Sequence, residues 1–245
     1  MWKRGIGACR ANSKAGKLFR EMAQRKRDGA QRMESTMTNQ PEAEEFFIFG
    51  PDLESDRPFR GAVFENVQAL LTPPRLILRP EDGGFPPLSE APRLLFDPAQ
   101  GPMPRDLEGG FSGYWLVSER LQQVMAAVDP EAFAFVECDT RLTDGSKGPK
   151  HFLCDVVREV DALDEEASRL KIEIDEDFVN GKFYSLGGGA SLAFRRDALN
   201  GAHVFLTPFN SFVVCDRFFK EAVHSAGIPE DPAESGISFI DASDI

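Results

Sequence analysis

Tyr114-Trp115-Leu116-Val117-Ser118-Glu119-Arg120-Leu121-Gln122-Gln123-Val124-Met125-Ala126-Ala127-Val128-Asp129-Pro130 changes from one periodicity to another partway along. The run 114–117 is apolar throughout and predicts a buried strand. Ser118 is placed to cap a helix, since its oxygen can accept a bond from an orphan amide of the first turn. Leu121, Val124, Met125 and Val128 follow at i, i+3, i+4 and i+7, one apolar face of that helix, and Asp129-Pro130 ends it. Next come a strand at 133–138, a turn at Thr143-Asp144-Gly145 and a strand at 151–157. Short strands around glycine-bearing turns predict antiparallel pairing.

Further strands are expected at 171–174, 183–186, 192–194, 203–206 and 212–214. Asp216 is expected to cap a last helix with Phe219, Ala222, Val223 and Ala226 on one face, closed by Gly227-Ile228-Pro229. Toward the N-terminus the texture differs: twelve of the 17 prolines lie between Pro41 and Pro104. Proline removes a donor and interrupts ladders and helices, so this part should hold short strands, turns and irregular chain. Phe46-Phe47-Ile48-Phe49, stopped by Gly50-Pro51, reads as a strand, as do Arg75-Leu76-Ile77-Leu78 and Arg93-Leu94-Leu95-Phe96. Val63, Val67, Leu70 and Leu71 fit helical spacing up to Thr72-Pro73-Pro74. Gly101 to Gly113 reads as a loop, a candidate seam between the proline-rich lobe and the more regular one. No repeat of 20–50 residues is present, and the strand–helix regularity of a doubly wound sheet is missing. The class expected is α+β, a largely antiparallel sheet with a few flanking helices and a proline-rich irregular N-terminal part.

The 245 residues are 42% hydrophobic and 28% charged, ordinary for a soluble globular protein. No apolar run approaches the ~20 residues of a membrane-spanning helix, and no apolar region follows the basic start as a secretory signal would require. Cys9, Cys138, Cys154 and Cys215 are scattered, with no CxxC pair, which suggests reduced thiols and a cytoplasmic setting. The net charge of −12 is unevenly divided. Residues 1–32 hold ten Lys/Arg against Glu21 and Asp28, a net of +8; the remainder carries −20. Such a body repels nucleic acid and attracts basic partners. Residues 1–36 are expected to be a basic arm, disordered or outside the natural product, with an organelle presequence as a third reading; Met37-Thr38-Asn39-Gln40-Pro41 reads like an ordinary start. Residues 37–245 are then one domain.

His151-x-x-Cys154-Asp155, with Cys138-Asp139 nearby in sequence, is the most catalytic-looking cluster, able in principle to support thiolate attack or zinc ligation. On an alternating strand, however, positions 151 and 154 face opposite sides, and cysteines in apolar strands are usually structural. Gly187-Gly188-Gly189-Ala190-Ser191 lacks the Lys-Ser/Thr of a phosphate loop and reads as a strand connection. His203 and His224 have no partner pattern. No catalytic residue, metal site or cofactor is expected. More informative are the acids Asp161, Asp164, Glu165, Glu166, Glu173, Asp175, Glu176 and Asp177, gathered with Arg169 and Lys171. They form either a solvated face or a docking surface for a basic protein, with Trp115 or Tyr114 as an aromatic anchor unless, as strand residues, these face the core, the reading favoured for both. The candidate partner-binding residues are Asp164, Glu165, Glu166, Asp175, Glu176, Asp177 and Trp115.

The runs Gly113-Tyr114-Trp115-Leu116-Val117-Ser118-Glu119-Arg120, Phe135-Val136-Glu137-Cys138 and Val156-Val157-Arg158-Glu159-Val160-Asp161-Ala162-Leu163-Asp164-Glu165-Glu166-Ala167-Ser168 occur in the order of a bacterial family pattern. The chain resembles immunity protein family eleven of polymorphic toxin systems, from about residue 111 to the C-terminus, with weaker support back to Phe46. Ser191-Leu192-Ala193-Phe194 and Val213-Val214-Cys215-Asp216-Arg217-Phe218 are similar to its tail. The resemblance implies a cytoplasmic protein that binds and neutralises a cognate toxin delivered between competing bacteria, with no chemistry of its own. The −20 body fits a basic toxin. Asp161 and Asp164 of the signature serve equally well to cap turns or pair with Arg158. A small hydrolase using the His151/Cys154 region and a general interaction module are the alternatives.

Overall fold

The computed structural model describes residues 46–52, 61–70, 80–111, 113–178 and 180–245. The strand expected at Arg75-Leu76-Ile77-Leu78, the stretch Leu71 to Pro74 and the basic arm lie outside these residues. In chain order the strands are β1 (Phe46–Pro51), β2 (Ala62–Phe64), β3 (Arg93–Phe96), β4 (Leu107–Phe111), β5 (Tyr114–Ser118), β6 (Phe133–Leu142), β7 (His151–Val156), β8 (Lys171–Ile174), β9 (Lys182–Ser185), β10 (Val204–Leu206), β11 (Val213–Asp216) and β12 (Ile237–Asp241). The helices are α1 (Val67–Leu70), α2 (Glu119–Val128), α3 (Arg196–Leu199), α4 (Arg217–Ser225) and α5 (Pro232–Ser235).

Four strands in the order β10-β11-β1-β12 make one sheet, and six in the order β2-β3-β6-β7-β5-β4 make another. β8 and β9 pair only with each other. The class is α+β, and all strand pairs are antiparallel except β3 with β6. The two large sheets enclose a core of Phe47, Phe49, Val117, Phe133, Cys154 and Val156, closed by Leu121 and Met125 of α2 and Phe219 and Val223 of α4. Alternation sends the other side chains outward to further clusters. Phe46, Phe205 and Val214 join one with Leu163, Tyr184 and Phe194; Tyr114, Leu116, Cys138 and Leu153 join another with Leu94. Phe46-Phe47-Ile48-Phe49 is apolar at every position because both faces of β1 are covered.

Both capped helices form as the sequence predicts. Ser118 Oγ accepts from Leu121 N at 3.2 Å, and Asp216 Oδ1 accepts from Phe219 N at 2.9 Å. Other expectations are corrected. Val63 lies in β2, opposite Leu95, and α1 begins only after Asn66. The amide of Asn66 ties that turn to the segment before β3, through Arg93 N at 2.8 Å and Ala91 O at 2.9 Å. The stretch read as a loop contains β4, whose Gly109-Gly110 hid a strand that pairs with β5 through a bulge. Residues 192–194 form no ladder: Leu192 N bonds Ala242 O and Phe194 bridges Leu163, so their partners come from different segments. Helix α4 is not the last, since α5 and β12 follow. β1 continues through Gly50-Pro51 because those residues pair on one side only, with β12, leaving the missing proline donor on the open side.

Candidate partner-binding surface

The hairpin β8–β9 stands outside both large sheets and is tied to the body along one side, from mid-ladder to the apex loop. Ile172 and Tyr184, opposite each other, turn inward to the cluster around Phe205. Tyr184 donates to Glu165 Oε1 at 2.6 Å, and Lys182 forms an ion pair with the same carboxylate. Burial and then Glu165 push Tyr184 up to about 12. Burial opposes the Lys182 charge, but Glu165 and Tyr184 hold its pKa above the ordinary value. Hydrogen bonds from Lys182 and Tyr184 keep Glu165 below the usual carboxylate range. Lys182 Nζ also lies 4.1 Å above the Phe209 ring. Asn180 donates to Pro208 O at 2.6 Å and Asn210 to Tyr184 O at 3.2 Å, so the loop 207–212 is tied to the hairpin.

The predicted acids divide by role. Asp164 closes a turn, its Oδ1 accepting from Glu166 N at 3.1 Å and Ala167 N at 3.0 Å. Glu165 is the anchor just described, so through Lys182 it joins the 164–166 turn to the hairpin. Glu173 pairs with Lys171 at 2.7 Å. Asp161 sits 4.0 Å from Arg195, while Arg158 pairs with Asp129 and Glu131. Asp175, Glu176 and Asp177 are exposed at the hairpin tip, and none has an ion-pair partner among the described residues. Trp115 is half-buried, its ring edge-on to Phe49 at 5.3 Å. It lines a cavity of about 120 Å³ with Leu206 and Ser211, so the loop 207–212 touches both this cavity and the hairpin. Tyr114 is buried, stacked on Phe85 and donating to Gly84 O at 2.9 Å. Ile174, Phe178 and Phe183 lie beside the acids and are not among the expected binding residues. The available signal was Ile172 and Ile174 at alternating positions, of which the body needs only one.

His151 and Cys154 lie on opposite faces of β7, as their spacing requires: Cys154 in the central core and His151 opposite Cys138 on the other side. Burial pushes the Cys138 thiol up to about 12, and those of Cys154 and Cys215 well above the ordinary range. Burial lowers the His151 pKa, and its Nδ1 lies 3.1 Å from Pro149 O. A thiolate–imidazolium pair needs the reverse of both shifts. In a Cys9→Ser background, a thiol-directed disulfide reagent should therefore leave the three remaining cysteines unmodified in native buffer and titrate all three in denaturant. Rapid native reaction of Cys154 would contradict this. Among the described residues no three His, Cys, Asp or Glu side chains converge as metal ligands. The triple-glycine turn is closed by the last residue of the chain, with Ala190 and Ile245 exchanging backbone bonds of 2.8 and 2.9 Å. His203 Nδ1 is 2.7 Å from Asp216 Oδ2, and His224 Nδ1 is 3.5 Å from Glu230 Oε1.

The residues of the resemblance hold the fold together. Ser118 and Arg120 both bond Asp106, Oγ at 2.6 Å and the guanidinium at 2.9 and 2.6 Å. Ala162 and Leu163 are buried, and Ser168 Oγ accepts from Ala193 N at 2.9 Å. The match is formal as well as visual. The family model described as Immunity protein family (Imm11) matches residues 45–244. The chain belongs to that family, and an immunity role follows from the membership. No curated protein matches the sequence. No helix among the described residues is long and apolar enough to cross a membrane.

Proposed function

We propose that this protein protects its host by stoichiometric binding of one toxin domain in the cytoplasm, covering the toxin's active site or substrate path and performing no chemistry itself. The observation that carries the reading is the family match across the whole described body. The toxin is basic, matched to a body of net −20 and to the unpaired acids Asp175, Glu176 and Asp177. The hydrolase reading gains no support from the placement of His151 and Cys154.

Co-expression tests this. The reading frame adjacent to the gene is induced in a heterologous host with and without this chain. Restored growth, together with co-purification of the two proteins, supports the proposal; a toxic neighbour that kills regardless rejects it for that pair. Charge reversal of Asp175, Glu176 and Asp177 together should slow association about tenfold at low ionic strength. The gap should narrow at about 1 M salt, where screening acts within roughly 3 Å. An unchanged association rate would remove these residues from the interface.

A further inference from the structure

We infer that the tip of the β8–β9 hairpin is an insertion element: Ile174 and the Phe178–Phe183 pair enter an apolar cleft on the toxin domain, while Asp175, Glu176 and Asp177 meet lysines and arginines at the cleft's rim. This rests on the toxin-binding reading above and assigns it a contact surface. Ile174 is 83% exposed and Phe183 36%, and they sit on the two faces of one hairpin. Ile172 and Ile174 share a face of β8. Ile172 packs against the body, whereas Ile174, two residues further along the same face, is solvated. On the opposite face Phe178 lies against Phe183, ring centroids 5.6 Å apart. The apex between these apolar faces carries the three acids without a basic partner among the described residues.

An isolated two-stranded hairpin is marginally stable in water. This one is nevertheless pinned by the Glu165–Lys182–Tyr184 cluster and by Asn180 and Asn210 bonding across to loop 207–212. Those anchors reach the last rung, where Lys182 lies opposite Ile174, and the apex loop through Asn180, yet Ile174, Phe178 and Phe183 join none of the buried clusters. A rigidly presented tip loses little freedom on docking, which favours affinity. Apolar groups on both faces fit a cleft that closes around the hairpin. Unpaired acids at the apex select a cleft with a positive rim, because burying them against a neutral or acidic one would leave the charges uncompensated.

The test compares full-length wild type with Ile174→Asp and with the double variant Ile174→Ser/Phe183→Ser, against the toxic product of the adjacent reading frame. Readouts are growth rescue and the dissociation constant for the purified toxin domain, its active site inactivated. A thermal melt of each variant alone checks folding, and Ile174→Asp should melt like wild type because the side chain is solvated. The expected result is rescue by wild type and at least a tenfold loss of affinity in each variant. Wild-type rescue with variants binding equally well overturns the hairpin assignment and leaves the immunity reading in place. Failure of wild type to rescue or bind overturns both.

Discussion

Replacing Asp129 by alanine is expected to lower the unfolding free energy by about 3–5 kcal/mol, the range for removing one partner of a buried ion pair. Asp129 ends helix α2 and is 5% exposed. Its carboxylate accepts from Arg158 Nη1 at 2.7 and 2.6 Å, from His203 N at 2.8 Å and from Val204 N at 3.0 Å. One side chain thus joins the end of α2, the segment after β7 and the start of β10. Alanine would leave a largely buried guanidinium and two backbone amides short of acceptors, which costs more than the bonds themselves contribute. Glu131 also pairs with Arg158, at 3.3 Å, but its side chain is almost fully solvated. Glu131→Ala should change stability by less than about 1 kcal/mol, as exposed pairs do. Urea unfolding of the two variants makes the comparison, and a loss below about 1 kcal/mol for Asp129→Ala would refute the hub.

Gly236→Ala should be comparably damaging, about 3 kcal/mol or more, from left-handed backbone strain and overpacking together. Gly236 has φ 76°, and a Cβ there would stand 2.0 Å from Leu107 O and 2.8 Å from Arg105 Nε. The first of these is backbone and cannot rotate away. Around it Arg105 makes a two-pronged bond to Glu108 at 3.1 and 3.0 Å and reaches Asp52 at 3.1 Å, all nearly buried. Burial works against the Arg105 charge, but Glu108 and Asp52 outweigh it and raise its pKa. Shifting Leu107 or Arg105 to admit a methyl would disturb that cluster. Gly188→Ala has positive φ but open space around it, and should cost only the strain, about 1 kcal/mol. Equal melting temperatures for Gly236→Ala and wild type would show that the close approach is relieved cheaply.

What could be read before any coordinates follows from which forces are local. The caps Ser118 and Asp216 lie within three residues of the amides they bind, so both helices were legible. β4 was not, because Gly109-Gly110 carries no hydrophobic signal and its pairing is dictated by β5. β12 is not among the expected strands, and its ladder is made by β1, far away along the chain. The acidic surface was half legible. Composition located the charges, but only the fold shows that Glu165 is an anchor, that Asp164 and Asp175 each close a turn, and that the acids 175–177 have no ion-pair partner among the described residues. Trp115 and the acids, read together as partner-binding residues, lie far apart along the chain; loop 207–212 touches the surroundings of both.

The position of β1 between β11 and β12 has a consequence for biosynthesis. The first strand among the described residues is paired on both sides by strands made far later in the chain. Its apolar residues stay uncovered through most of translation, and closing so long a loop makes folding slow. The four-stranded sheet therefore cannot be completed until β12 has left the ribosome. If the immunity proposal holds, a protected cell needs a standing stock of completed molecules, because a chain newly begun gives the finished sheet only once β12 has emerged.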